Sequence, residues 1–371
     1  MDLQHVEMDL QHVTDELVAG ISRPVALVGG DDRPIAVSGK ARPGARVRAT
    51  IPIRGRERDI ASFRLFDDGT QPISASDYAL LDAASSMVRD LLDVPPGETG
   101  ARIGAAGQIL PSETVRTSVP DRETIQHQLL DDDEAVRRQA FQIAVRNRWV
   151  DRAAKTAVRA VLLDPSVGTV RRLALARNIA STSHTNTLFI GEVDGCLHFL
   201  TRDPEADAGL DERVAALAAR FGATVTAIGA SVVTSGDADL APAARQARSA
   251  AELTAALPEL QPVGWYEQLG HWVLLSQIAP GSVRMSEISP AAEVLFRPGN
   301  EVYRETVEAY LDAAGRNSVA CERLHIHRTT LYYRLDNAPA VVREALKDGF
   351  SRSSLHLAIK LHRLWSVAGA V

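Results

Sequence analysis

The chain has 371 residues, 45% hydrophobic and 24% charged, which exceeds one ordinary globular domain of roughly 100 to 200 residues and implies several. No uninterrupted apolar run reaches the roughly 20 residues a membrane helix needs, the polar N-terminus lacks a signal-peptide pattern, and Cys196 and Cys321 stand in no disulfide or zinc-ligand spacing. The net charge of −6 is uneven, because residues 301–371 carry ten Arg and Lys against eight Asp and Glu, so any polyanion would be met at the C-terminal end.

The chain opens on a tandem repeat, "MDLQHV" at 1–6 and again at 8–13, which reads either as a small duplication or as a two-turn heptad. "RPVALVGGDDRPIAVSG" (23–39) predicts two strands around a Gly-Gly-Asp-Asp turn, and "RVRATIPI" and "DIASFRLF" continue the sheet. A helix follows over 74–92, with Ser76 as a candidate N-cap and Leu80, Leu81, Ala84, Met87, Val88 and Leu91 along one face. This α+β order over residues 1–95 resembles the PAS and GAF sensor modules.

Residues 96–120 are rich in Pro, Gly, Ser and Thr and read as a linker. From 121 to 154 the sequence has neither Gly nor Pro, and Leu129, Val136, Ile143 and Val150 recur every seven residues. That spacing predicts one amphipathic helix, which either packs on its own domain or pairs with a second copy as a signalling helix, with Asn147 setting the register. Over 155–285 strands and helices alternate as β-α-β-β-α-β-α-β, with a hairpin turning at Asp194-Gly195 and "GWYEQLGHWVLLSQI" read as closing strands. This order predicts a ferredoxin-like domain. It also resembles the GGDEF-like middle domain of the PucR/CdaR transcriptional regulators.

Cyclase chemistry in such a domain needs paired glycines and adjacent carboxylates in the hairpin, to approach a nucleotide and hold divalent metal. Here the hairpin reads "GEVDGC". Asp164, after the first strand, stands where a metal-binding Asp could sit, but the hairpin lacks the paired glycines and adjacent acidic pair. Glu192 and Asp194 therefore read as turn residues of a degenerate domain, and no P-loop, GxSxG, HExxH or GxGxxG pattern occurs elsewhere. A protein without catalysis, metal or cofactor is expected.

The densest polar cluster is "CERLHIHRTTLYYRL" (321–335). Ahead of it "YRETVEAYLDAAG" predicts a helix stopped at Gly315, and Asn317 or Ser318 can cap the next one. Two short helices joined at His325 and Ile326, with Ala320, Leu324, Ile326, Leu331 and Leu335 buried, form a helix-turn-helix. If Leu331 and Leu335 face inward, Thr329 and Tyr333 lie on the opposite face, flanked by Thr330 and Tyr332. Those side chains suit base edges, whereas His327, Arg328 and Arg334 suit phosphates, with Arg334 open to bracing the fold and His327 to capping a helix.

The block from "ETVEAYLDAAG" through "HIHRTTLYYRL" to "SRSSLHLAIKLHRLW" resembles the C-terminal helix-turn-helix of the PucR/CdaR family, within an all-α domain over 295–371. "RN" at 316–317 stands where Gly-Asn is usual, Thr329 replaces an Asn, and Pro339 delays the following helix. The resemblance implies a cytoplasmic bacterial transcription factor. It would bind double-stranded promoter DNA as a homodimer or higher oligomer, respond to a small-molecule effector and meet RNA polymerase. A nucleotide cyclase or phosphodiesterase, and a signalling scaffold without DNA affinity, are the competing readings.

Overall fold

A computed structural model describes residues 3–39, 45–55, 59–66, 72–92, 122–150, 156–182, 187–202, 209–257 and 260–367. The chain divides into two compact units, Met1–Ala251 and Glu252–Val371.

The first unit opens on helix α1 (Leu3–Ile21), in which Leu10, Val13, Leu17 and Ile21 recur every three or four residues and are buried. The second copy of the repeat is thus part of an amphipathic helix, and it supplies two of these core residues. Strands β1 (Val25–Gly29), β2 (Pro34–Ser38), β3 (Val47–Arg54) and β4 (Asp59–Phe66) form an antiparallel sheet in the order β2-β1-β4-β3. Helix α2 (Ala75–Leu92) follows. Its cap is Ser74 and not Ser76: the Ser74 hydroxyl accepts from the Asp77 amide at 3.1 Å while the Asp77 carboxylate accepts from the Ser74 amide at 2.8 Å, a reciprocal box. The linker expected over 96–120 lies outside the described residues.

The single helix expected over 121–154 is two helices, α3 (Arg122–Gln128) and α4 (Glu134–Arg146). The break falls on Asp131-Asp132-Asp133, where carboxylates compete with the helical backbone for amides. Asp131 accepts from the Asp133 amide and Asp133 from the Ala135 amide, each at 2.8 Å, while Arg137 donates to the carbonyls of Asp131 and Asp132. Leu129, Ala140, Phe141, Ala144 and Val150 are buried in the core of their own unit, and Asn147 is the exposed C-cap of α4. The heptad spacing therefore serves packing within the unit.

Next come β5 (Thr156–Leu163), α5 (Thr169–Thr182), β6 (Thr187–Val193), β7 (Cys196–Arg202), α6 (Leu210–Arg220), β8 (Val225–Val233) and α7 (Ala241–Ala256). These four strands stand in the order β6-β7-β5-β8 with every neighbour antiparallel, the split arrangement of a ferredoxin-like sheet. Asp194 and Gly195, both at positive φ, make the hairpin turn. Helices α3, α4 and α7 cover one face over Val158, Ala160, Leu188, Ile190 and Leu200. Both α1 and α2 touch α5, where Glu16 accepts from the Val170 amide at 2.8 Å and Arg177 pairs with Asp82 at 3.1 Å.

The approach of α7 to the sheet sets a steric limit. A Cβ on Gly229 of β8 would stand 2.1 Å from the Ala247 carbonyl oxygen and 2.2 Å from the Ala251 nitrogen. Small residues on both sides, with Ala243, Ala244, Ala247, Ala250 and Ala251 all buried, let the backbones meet.

Among its described residues the second unit is helical apart from β9 (Val263–Trp265). Short helices α8 (Tyr266–Leu269), α9 (His271–Ser276), α10 (Met285–Ile288) and α11 (Pro290–Leu295) precede α12 (Glu301–Asp312), α13 (Asn317–Leu324), α14 (Arg328–Asp336), α15 (Ala340–Ala345) and α16 (Gly349–Val367). The closing strands expected over 264–278 are thus mostly helical. Leu269, Trp272 and Leu275 fall three apart and are buried, and the Trp365 indole donates to the Ile278 carbonyl at 3.1 Å, so this stretch packs with the C-terminal helices. No helix among the described residues is long and apolar enough to cross a membrane.

Gly229→Ala is expected to lower stability by about 3 kcal/mol, the upper range for overpacking, because the obstructing atoms are backbone. Urea denaturation followed by far-UV circular dichroism measures it; an unchanged midpoint would mean that the helix retreats without cost.

Candidate nucleic-acid interface

The C-terminal helices rest on a core of Ala291, Ala292, Leu295, Val307, Leu311, Val342, Leu355 and Ile359. Helix α12 stops where Ala314 and Gly315 both take positive φ and the Gly315 amide bonds the Tyr310 carbonyl at 2.9 Å. Helix α13 then starts at Asn317. Neither Asn317 nor Ser318 caps it, since the N-cap position is Arg316 and makes no side-chain cap bond.

The turn between α13 and α14 is tight. His325 sits in the left-handed region at φ 52° and ψ 42°, and the Ile326 amide bonds the Cys321 carbonyl at 3.1 Å. His327 is the N-cap of α14, its Nδ1 lying 3.4 Å from the Thr329 amide and 2.9 Å from the Thr329 hydroxyl. Ala320 and Leu331 are fully buried against each other's helices, and Leu324, Ile326 and Leu335 close around them. The five residues expected to be buried are brought together as one cluster.

With Leu331 fixed inward, α14 turns its polar side out. Thr329 is exposed and Tyr333 is 68% exposed, one helical turn apart, while Thr330 is half-buried. Tyr332 is held from two sides: the Asn317 amide donates to its hydroxyl at 2.9 Å, and Arg328 donates to the same oxygen at 2.8 and 3.0 Å while lying over the ring. This clasp fixes Arg328 at the exposed start of the helix. Arg334, by contrast, is half-buried and donates to the Thr306 hydroxyl at 3.4 Å, which ties α14 to α12.

Sequence reasoning missed what anchors the helix pair. Asp312, at the end of α12, accepts from Arg323 of α13 at 2.7 Å and from His356 and Lys360 of α16 at 2.7 and 2.9 Å; Lys360 also reaches Glu308 at 2.7 Å. Burial acts to raise the Asp312 pKa, but the hydrogen bonds of His356 and Lys360, with the charges of Lys360 and Arg323, outweigh it and hold the carboxyl well below the usual range. The visible signal was His356 and Lys360, four apart within the otherwise apolar run of α16.

The candidate metal residues upstream are engaged with protein groups. Glu192 pairs with Arg172 at 2.7 Å, and burial raises its pKa against that charge. Asp194 pairs with Arg248 at 2.5 Å, and Asp164 accepts from the Ser166 amide at 2.9 Å. Among the described residues no cluster of His, Cys, Asp or Glu could hold a metal ion.

Two short helices about a tight turn, buttressed by flanking helices and presenting one polar face, define a helix-turn-helix domain. Residues 303–361 match the PucR C-terminal helix-turn-helix domain. No curated protein matches the chain. Among solved structures, the regulator of polyketide synthase expression from Bifidobacterium adolescentis is 17% identical, with 66% of this chain and 94% of that one covered at a TM-score of 0.27. PelD 158-CT from Pseudomonas aeruginosa PAO1 is 15% identical, covering 64% of this chain and 86% of that one at a TM-score of 0.21. PelD 156-455 from Pseudomonas aeruginosa PA14, in its apo form, is 15% identical, covering 64% and 84% at a TM-score of 0.22.

Asp312→Ala should destabilise the C-terminal unit by about 3 kcal/mol, because it leaves buried Lys360 and its neighbours short of a carboxylate. Because the Asp312 pKa is depressed, its contribution is present above the unfolded value and is lost as pH falls through the folded one. Guanidinium unfolding read by tryptophan fluorescence tests the loss; a shift below about 1 kcal/mol would make the cluster incidental.

Proposed function

We propose that this protein is a ligand-responsive transcriptional regulator that binds promoter DNA through α14. The observation that carries the reading is the exposed face of α14 within a matched PucR-type domain, with Thr329 and Tyr333 outward and Leu331 locked inward. In this reading α14 lies in the major groove, where Thr329 and Tyr333 meet base edges and Thr330 stands at their flank. Arg328, oriented by its clasp on Tyr332, meets a backbone phosphate. His327 contributes by capping the helix, and Arg334 by bracing it on Thr306, more than by touching DNA.

A C-terminal charge of only +2 over 301–371 gives a single copy little sequence-independent affinity. A homodimer, engaging two half-sites, would supply the remainder. Upstream, the antiparallel sheet with α1 and α2 supports a PAS- or GAF-like sensor, and the β6-β7-β5-β8 order supports a degenerate GGDEF-like domain. Its carboxylates are occupied by arginines and a serine, which favours regulation over cyclase catalysis. Both α1 and α2 touch α5, so a change in the sensor would reach the middle domain through packed helices. RNA polymerase is the further partner that a promoter-bound regulator would meet.

Fragments selected from source-organism DNA by the full-length chain should share a repeated half-site. On such a site Thr329→Ala and Tyr333→Ala should each lose roughly 1 to 3 kcal/mol of discrimination, while Arg328→Ala should weaken binding to all sequences and reduce the salt slope by about 1. Operator affinity unchanged in all three variants would overturn the assignment of α14.

A further inference from the structure

A second feature of the first unit is a cleft of about 340 Å³ between the Asp131-Asp132 bend, the tip of the β6-β7 hairpin and the first turns of α7. That volume lies at the small end of ligand sites, which run from roughly 300 to 1,000 Å³. Leu130, Val193, Ala241 and Ala244 give it apolar surface, and a buried imidazole lines it.

That imidazole is His198 of β7, 2% exposed, whose Nδ1 has no hydrogen-bond partner among the described residues. A buried ring nitrogen left unbonded costs free energy, and a ligand bearing a hydrogen-bonding group would recover it. Burial first, with the nearby Arg248 charge, pushes the ring's pKa down to about 4 against the backbone groups of Cys196 and Ala244, so the ring is neutral at pH 7.

The charges around the cleft balance. Asp131, Asp132 and Asp194 face Arg137, Arg245 and Arg248. Arg137 is held by the Asp131 and Asp132 carbonyls with Asp239 at 3.6 Å, and Arg248 by Asp194. Arg245 is exposed and makes no ion pair among the described residues; the Asp132 carboxylate is likewise unengaged on the bend, and one oxygen of Asp131 serves the Asp133 amide. A simple anion would gain Arg245 and meet the two aspartates; a simple cation would meet the reverse. Only a ligand carrying both signs gains from both sides.

We propose that this cleft binds a small zwitterion of the amino-acid class, with its carboxylate on Arg245, its ammonium on Asp132 and Asp131, and a hydrogen bond to His198. This deepens the regulatory reading by naming an effector class and a site for it, and it rests on that reading only for its consequence in transcription.

The test is calorimetric titration of the full chain, without DNA, with each standard amino acid in turn. At least one should bind saturably, and Arg245→Gln and Asp132→Asn, both exposed substitutions that leave the core alone, should each weaken it about tenfold or more. The N-acetyl form of that amino acid, which keeps the carboxylate and loses the ammonium, should lose binding to a similar degree. No saturable binding by any amino acid, equal affinity in Arg245→Gln, or equal affinity of the N-acetyl form would each overturn the proposal. DNA selection by the ligand-free chain is scored separately, so a failed ligand and a failed regulator give different results.

Discussion

The C-terminal unit depends on one half-buried carboxylate. Asp312 closes α12, and its partners come from α13 and α16, so a single side chain holds the first helix of the helix-turn-helix against both the helix before it and the last helix of the chain. An ion pair taken out of water repays its desolvation only when its geometry is good and the remaining donors are satisfied. Three cationic or hydrogen-bonding groups on one carboxylate, with Glu308 sharing Lys360, meet that condition. The apolar contact of Ala320 with Leu331 sets how closely α13 and α14 approach, while the Asp312 cluster sets where the pair stands. Apolar packing alone is tolerant of small rotations; directional charge contacts are less so. The outward aim of Thr329 and Tyr333 follows from the two together.

Most of the regular elements were legible from the chain because local signals agreed with tertiary needs. The four N-terminal strands, the Asp194-Gly195 hairpin and the α13-α14 pair all had turn residues at the right offsets and apolar residues at the right period. Two misreadings share one cause, period without punctuation. The heptad at 129, 136, 143 and 150 runs through three consecutive aspartates, of which Asp131 and Asp133 take backbone amides and end α3 before α4 begins. Over 264–278 a short apolar stretch satisfied strand and helix patterns alike, and burial of Leu269, Trp272 and Leu275 decided for helix. Local signals could hint at contacts between distant residues, as His356 and Lys360 do, but could not name the partners. The Asp312 cluster joins side chains 11, 44 and 48 positions apart, and the clasp on Tyr332 joins Asn317 to it across 15.

The first unit uses small residues as the second uses charge. Gly229 and the alanines of α7 bring two backbones into contact, and that closeness places the first turns of α7 beside the hairpin tip, where Arg248 meets Asp194. A bulkier interface would lift α7 from the sheet and open the cleft beneath it. The same alanines that look like low-information sequence are therefore what shape the cleft around His198. On the other side, Glu16 accepts the Val170 amide near the start of α5, so α1 is joined to α5 by a hydrogen bond at a helix N-terminus, where a carboxylate is favoured.

The arginines of the helix-turn-helix domain bear on how it would read DNA. Arg323 is spent on Asp312, Arg334 on Thr306, and Arg352 lies over the Tyr310 ring, whereas Arg328, clasped to Tyr332, stays at the exposed start of α14. Cations used to brace a fold neutralise few phosphates, and sequence-blind affinity scales with phosphates neutralised. A recognition helix that instead exposes a hydroxyl and a phenol gains chiefly where their hydrogen bonds find matching base edges, because unmatched polar groups at a closed interface cost free energy. If α14 reads DNA as proposed, weak charge and strong polarity would push in one direction: little affinity for DNA at large, and discrimination that would depend on two copies finding correctly spaced sites.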